Sequence, residues 1–255
     1  MTSEFWLVRH AESAGNLAAS AAERAGREAI DLEMRDADVP LSDVGVSQAQ
    51  ALGRWMSGMR TPGSDGRLAW FDAAWVSPYR RARDTLAIAL DHAQTPIPTR
   101  ADERLRDREL GILDLLTRRG VESRHPEEAD RRRRLGKYYH RPPGGESWAD
   151  VRLRLRSFLA DAVVSHPAHD AVLVVAHDAV VTLLVSILLD LDEKELMPFA
   201  AAHPVLNASM THVTRQQESG LCSGWDLRVF SDVSHLVAAN VAVTVHPGTA
   251  DDLPE

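Results

Sequence analysis

Two short runs, Phe5–Arg9 and Ala171–Ala176, are apolar with little polar alternation, and each is followed at once by a histidine, His10 and His177. A strand of that kind has to be covered on both faces, which is the situation of a strand inside a parallel sheet. A third run, Ala73–Val76, is followed by Ser77-Pro78. Between and after these strands the pattern turns helical. Ser42 precedes a stripe of Val44, Gln48, Leu52, Trp55, Met56 and Met59; a helix is expected from about Tyr79 to His92; Glu146–Val164 carries Trp148, Val151, Leu155, Phe158 and Ala162 on one face; and Val180–Leu191 reads as a buried helix. Strands alternating with helices imply βαβ units. The expected architecture is therefore α/β, a three-layer α/β/α sandwich around a mostly parallel central sheet. In such sheets ligands bind beyond the carboxyl ends of the strands. Arg9-His10, Ser77-Pro78 and His177-Asp178 stand at those ends.

Weaker strands are expected at Ser209–Val213 and Leu227–Phe230, a short segment around Leu105–Leu110 after the break at Pro96 and Pro98, and a loose tail from His246. The run Glu127–Arg134 mixes charges and reads as a solvated helix face. The 255 residues are taken as one domain, with segments 18–39 and 113–147 inserted over the site. Segment 18–39 is rich in Ala, Glu and Arg and reads as helical.

Composition narrows the function. A formal net charge of -8 argues against a nucleic-acid binder. Lysine occurs only at Lys137 and Lys194, so nearly all positive charge is arginine, the residue suited to forked contacts with phosphate. A GC-rich coding sequence is the better explanation of that bias. The single cysteine, Cys222, rules out an internal disulfide framework and a cysteine-based zinc site. The longest apolar stretch, Ala179–Leu189, is too short for a membrane span, and a cytoplasmic protein without membrane association is expected.

Four segments in order carry a resemblance. Arg9-His10-Ala11-Glu12-Ser13-Ala14-Gly15-Asn16 resembles the Arg-His-Gly signature of the histidine phosphatase superfamily, the phosphoglycerate-mutase-like proteins, with Ala11 in place of Gly. Pro40-Leu41-Ser42 with Gly45 and Gln48-Ala49 resembles the start of that family's first helix. Ser77-Pro78-Tyr79-Arg80-Arg81 resembles its second arginine motif, and Val174-Val175-Ala176-His177-Asp178 its second-histidine motif, usually His-Gly. Taken alone, an Arg-His pair means little, and a structural histidine at a strand end would be the better reading. The order and spacing of all four carry the weight.

The resemblance implies phosphoryl transfer through a phosphohistidine, with His10 as nucleophile, Arg9 and Arg81 clamping phosphate oxygens, and His177 stabilising the transferring group. Asn16 and Ser13 join as phosphate-side contacts, with Asp178 beside them. Arg80 and Arg83 read as surface charges. The family's proton donor is a carboxylate four residues before a glycine. Leu105-Arg106-Asp107-Arg108-Glu109-Leu110-Gly111 puts Asp107 there, with Glu109 on the same face of an extended segment as the alternative. No metal and no cofactor is required, because side chains supply the positive charge.

Three activities are compatible with these residues: a phosphatase, a 2,3-bisphosphoglycerate-dependent phosphoglycerate mutase, and a phospholigand-binding protein without turnover. The Phe-Thr-Gly-Trp-like segment of the glycolytic mutases has no counterpart here, and His10 and Arg9 are both present, which favours the phosphatase. Its partner is a small phosphorylated metabolite. Lys137, Tyr139 and Arg141 are candidate substrate contacts, although Pro142-Pro143-Gly144-Gly145 before Glu146-Ser147 also reads as a plain turn into a helix. The oligomeric state stays open, with a homodimer as one option.

Overall fold

The computed structural model describes residues 2–58, 71–94, 96–164, 170–216 and 224–246. Its centre is a six-stranded sheet of β1 (Glu4–Arg9), β2 (Ala73–Val76), β3 (Thr99–Ala101), β4 (Ala171–Ala176), β5 (Met210–Arg215) and β6 (Trp225–Asp232), in the order β3-β2-β4-β1-β5-β6. Strands β3, β2, β4 and β1 run parallel, and β5 pairs antiparallel with both β1 and β6. The sheet is mostly parallel, as the apolar runs require. Every residue of β2 and β4 is buried.

Alternation along the strands divides the core between two faces. Phe5, Leu7, Val172, Val174 and Ala176 pack with α6 (Trp148–Val164) and α7 (Asp178–Leu188). Val8, Leu173 and Val175 point the other way, toward Leu52 and Met56 of α2 (Asp43–Gly58) and Ala82, Leu86 and Ala89 of α3 (Arg80–Ala93). The result is three layers, helix–sheet–helix.

Some expectations need correction. Segment 18–39 is helical only in part: α1 (Ala14–Arg24) begins before it and ends at Arg24, and a single 3₁₀ turn, Asp36–Asp38, follows. Helix α7 starts at Asp178 and stops at Leu188, earlier than expected at both ends. Strand β3 and three helices, α4 (Arg118–Arg124), α8 (Glu193–Ala202) and α9 (Ser234–Ala238), were not legible in the pattern. The run Glu127–Arg134 lies in α5 (Pro126–Tyr139), but it is not wholly solvated. Glu128 and Arg132 are buried, and Glu128 accepts from the equally buried His140 at 2.9 Å. His246 is not loose: its Nε2 donates to Glu12 at 2.7 Å, and the Ser20 hydroxyl donates to its Nδ1 at 2.7 Å. Met59, Cys222 and the tail after His246 lie outside the described residues.

Candidate active site

The register of the parallel strands brings the three strand ends together. Arg9 pairs with Ala176, the His10 N–H donates to the Ala176 carbonyl at 2.8 Å, and the Ser77 N–H donates to the Val175 carbonyl at 3.0 Å. His10 and His177 consequently face each other with ring centroids 5.2 Å apart. The backbone after His10 is held from two sides. Thr85 on α3 accepts from the Ala11 N–H at 3.0 Å, and Asn207 donates from Nδ2 to the His10 carbonyl at 3.1 Å. Helix α2 presses on the same segment: a Cβ at Gly45 would sit 1.9 Å from the Glu12 carbonyl oxygen, so no side chain fits there.

His10 is buried, and its Nδ1 lies 2.7 Å from the Ala11 carbonyl oxygen. A carbonyl can only accept, so Nδ1 carries the proton and Nε2 keeps its lone pair. Burial holds the imidazole pKa well below its usual value, and the positive charge of Arg81, His177 and Arg9 lowers it further. The neutral form that a nucleophile needs is thereby the resting form.

Arg81, at the start of α3, is 4% exposed. Its Nη1 donates to the carbonyl (2.7 Å) and Oδ1 (2.8 Å) of Asp36, and its Nη2 to Oδ2 of Asp36 (3.0 Å) and Oδ2 of Asp107 (2.8 Å). Asp107 also lies 3.2 Å from Nδ1 of His177, whose Nε2 meets the Ser77 hydroxyl at 2.8 Å. Burial alone would raise the Asp107 carboxyl, but His177, Arg81 and His10 outweigh it and hold the group well below the usual carboxylate range. Arg9 is buried as well; its Nη1 donates to the Val205 carbonyl at 2.6 Å, with Asp178 3.9 Å away.

Asp107 and Glu109 part company. Glu109 accepts from the Tyr79 hydroxyl at 2.8 Å and has a half-exposed side chain, whereas Asp107 turns inward to Arg81 and His177. The segment that carries them is fixed from outside. Arg154 on α6 donates to the backbone carbonyls of Arg104 and Asp107. Gly111 has φ +57°, and a Cβ there would stand 2.1 Å from the Pro143 carbonyl oxygen. A glycine at that place is what lets the acid-bearing loop close onto the turn before α6.

Two helices begin at this cluster. Ser13 caps α1 in a reciprocal box with Asn16, and His177 is the N-cap of α7, with Asp178 as its first residue. Helix N-termini favour anions. The Asn16 Oδ1 is taken by Ser13 and Asn207, so Nδ2 is the end of that amide left to give to a ligand.

These groups form the floor of a cleft of about 860 Å³. Of the residues singled out in the sequence, Arg9, His10, Ser13, Asn16, Arg81, Asp107, Glu109, Lys137 and Asp178 line it, and His177 supports it from below. Tyr139 and Arg141 do not line it. Tyr139 is exposed and packs edge-on against Tyr138, and Arg141 pairs with Asp150 on the outer surface. Asp36 and Asn207 were missed, since neither lies in a strand-end motif. The Asp-rich turn of Asp36 and Asp38 before Pro40 was the one available signal for the first. Among the described residues no cluster of His, Cys, Asp or Glu comes together as a metal-ion site, and no helix is long and apolar enough to cross a membrane.

Comparison with known proteins gives the family. Residues 5–228 match the model of the histidine phosphatase superfamily (branch 1). A phosphoglycerate mutase-like protein of Arabidopsis thaliana, AT74H, is 33% identical over 60% of this chain, which spans half the length of that relative. A Yersinia enterocolitica protein named "Probable phosphoglycerate mutase GpmB" is 30% identical, with 91% of this chain and 94% of the relative covered. Among solved structures, a mycobacterial glucosyl-3-phosphoglycerate phosphatase in complex with VO3 superimposes with a TM-score of 0.65 at 25% identity, covering 91% of this chain and all of the other.

Proposed function

This chain belongs to the histidine phosphatase superfamily, and from that premise we propose that it hydrolyses a phosphomonoester of a small metabolite through a phosphohistidine on His10. One observation carries the reading. The His10 Nδ1–H is committed to the Ala11 carbonyl, which leaves the Nε2 lone pair free in a residue that lines the cleft with Arg9 and Arg81, with the buried His177 ring 5.2 Å away.

In the first step Nε2 bonds to phosphorus and the ester P–O bond breaks, with the leaving oxygen taking a proton from the Asp107 carboxyl. In the second, water attacks the phosphohistidine, the N–P bond breaks, and Asp107 takes up the proton that water releases. Arg9, Arg81, His177 and the starts of α1 and α7 hold the equatorial oxygens. Arg81 and His177 hold Asp107 ionised. A bound phosphate dianion offsets that positive charge, which raises the Asp107 pKa and lets it carry the proton when substrate is present. Side chains supply all the charge that the reaction needs, and we assign no metal to it.

Names among the relatives fit a second reading, though no better than the first: a phosphoglycerate mutase, in which a phosphoryl group returns to a bound sugar acid instead of passing to water. The same assay separates the two. Release of inorganic phosphate from p-nitrophenyl phosphate and a panel of metabolite esters, undiminished by chelator and lost in His10→Ala, is the expected result. Isomerisation of phosphoglycerate without net phosphate release would give the site to the mutase. We further propose that the protein works in the cytoplasm, where such metabolites are made, and that its net charge of -8 keeps it from nucleic acids.

A further inference from the structure

Above the phosphate-binding floor the cleft has two walls. One is built from segments 28–39 and 109–116, joined by the Ala29–Leu116 bridge and by the Ile30 N–H donating to the Leu115 carbonyl at 2.8 Å. It presents Ile30, Leu32 and Leu115 together with three carboxylates, Asp36, Glu109 and Asp114. The facing wall comes from α8 and the chain after it, and is apolar at Met197, Pro198 and Pro204. Two arginines border this wall, Arg81 forked onto Asp36 and Arg106 with its Nε 4.0 Å from Glu109, while the remaining cations are turned to partners elsewhere. Arg108 is buried, with its Nε donating to the Glu146 carbonyl at 2.7 Å, and the Lys137 ammonium lies over the Trp148 ring, 4.6 Å from its centroid.

Asp114 lies close enough to Asp36 and Glu109 to feel their charge. The Asp114 carboxyl is raised by burial and by the negative charge of Asp36 and Glu109. A substrate whose phosphate sits on His10 must pass its alcohol part between these walls. A second negative charge on that part meets carboxylates across a half-desolvated space, where like charges repel more strongly than in water. A bulky apolar group, a hydroxyl that donates, or a cation meets surfaces made for it.

Resting on the phosphatase reading, we propose that the cleft selects phosphomonoesters with a bulky alcohol part that is neutral or cationic, and that it rejects esters carrying a carboxylate, phosphoglycerates included. Glu109 and Asp114 are the specificity-determining residues.

Two matched pairs test this: glycerol 3-phosphate against 3-phosphoglycerate, and benzyl phosphate against 4-carboxybenzyl phosphate. Each pair differs by one carboxylate, and its leaving oxygen is of the same kind. The expected kcat/KM for the carboxylate-free member is higher by about tenfold or more in both pairs. In the double variant Glu109→Gln with Asp114→Asn that ratio falls toward one, while continued cleavage of benzyl phosphate shows that the fold survives. Equal or better use of the carboxylates by the native enzyme overturns the proposal, as does an unchanged ratio in the variant. Titration of the same four esters into the His10→Ala protein reads their binding order without turnover. If no ester is cleaved by the native enzyme, the phosphatase reading fails, and this titration still decides the selectivity.

Discussion

Asp36 and Arg81 are locked together by a two-point fork, with both carboxylate oxygens of Asp36 and its carbonyl taking guanidinium N–H groups at 2.7 to 3.0 Å. With Asp107 on the remaining Nη2 hydrogen, the four terminal N–H groups of Arg81 are all committed to protein acceptors. A phosphate that calls on Arg81 has to displace one of them. Asp36 is the partner able to leave: its side chain is 43% exposed and sits on a short turn, while Asp107 is held by its neighbours.

Asp36→Asn removes a negative charge beside Arg81 and keeps the backbone carbonyl contact. Inhibition by inorganic phosphate or vanadate should tighten by about fivefold, and KM should fall with it. Inhibition constants measured at fixed pH check this. Weaker phosphate binding in the variant would mean that Asp36 positions Arg81 instead of competing for it.

Asp107 and Glu109 separate by leaving group. Asp107→Asn should lower kcat by roughly 10²–10³ on alkyl phosphates, which need a protonated leaving oxygen. On p-nitrophenyl phosphate, whose leaving group needs little help, the loss should be smaller by about tenfold or more. Glu109→Gln, whose carboxylate lies on Tyr79, should stay within about threefold of the native kcat on both. A leaving-group dependence in the Glu109 variant would transfer the donor role to Glu109.

The depressed pKa of His10 sets the acid side of the pH profile. The imidazole must be neutral to attack, and burial with Arg81, His177 and Arg9 lowers its pKa, so it stays neutral well below 6.5. The acid limb of kcat/KM should therefore fall below pH 6.5. A limb above that value would show that His10 is not held as described.

How far the sequence disclosed this site depends on where each contact comes from. His10, Arg9 and His177 stand at the ends of apolar strands, and a parallel register delivers such ends to one edge without further information. The strand-end rule reaches only Ser77-Pro78; the family motif's register, not the rule, singles out Arg81 from Arg80 and Arg83. Asp36 and Asn207 reach the site from a turn and from the stretch before β5, through contacts that no local period encodes. An extended strand would put Asp107 and Glu109 on one face. The segment instead runs between two 3₁₀ turns, and the two carboxylates point to different partners. Arg141 stands in the inserted segment as a candidate contact to a negatively charged substrate, but Asp150, in the first turn of α6, takes it up.

His235 links stability to pH. It is buried beneath α2 and outside the cleft, and burial, against the pull of Asp232 and the Ala208 backbone, lowers its pKa to about 4. Below pH 6.5 the unfolded chain takes up a proton that the native state refuses, so the native state loses stability as pH falls from about 6.5 to 4. The gap corresponds to about 3 kcal/mol. Chemical unfolding of His235→Gln over that range should show a shallower decline than the native protein. Parallel declines would mean that His235 is protonated in the fold.

The central claim is the covalent one, that a phosphoryl group rests on His10. Rapid quenching of the enzyme with substrate in alkali, followed by intact-mass and peptide analysis, reads it directly, because a phosphoramidate survives base and is cleaved by acid. The expected result is the mass of one added phosphoryl group, located on the peptide that contains His10, lost on acidification and absent from His10→Ala. Turnover with no such adduct, or an adduct that persists in the His10→Ala protein, would contradict it.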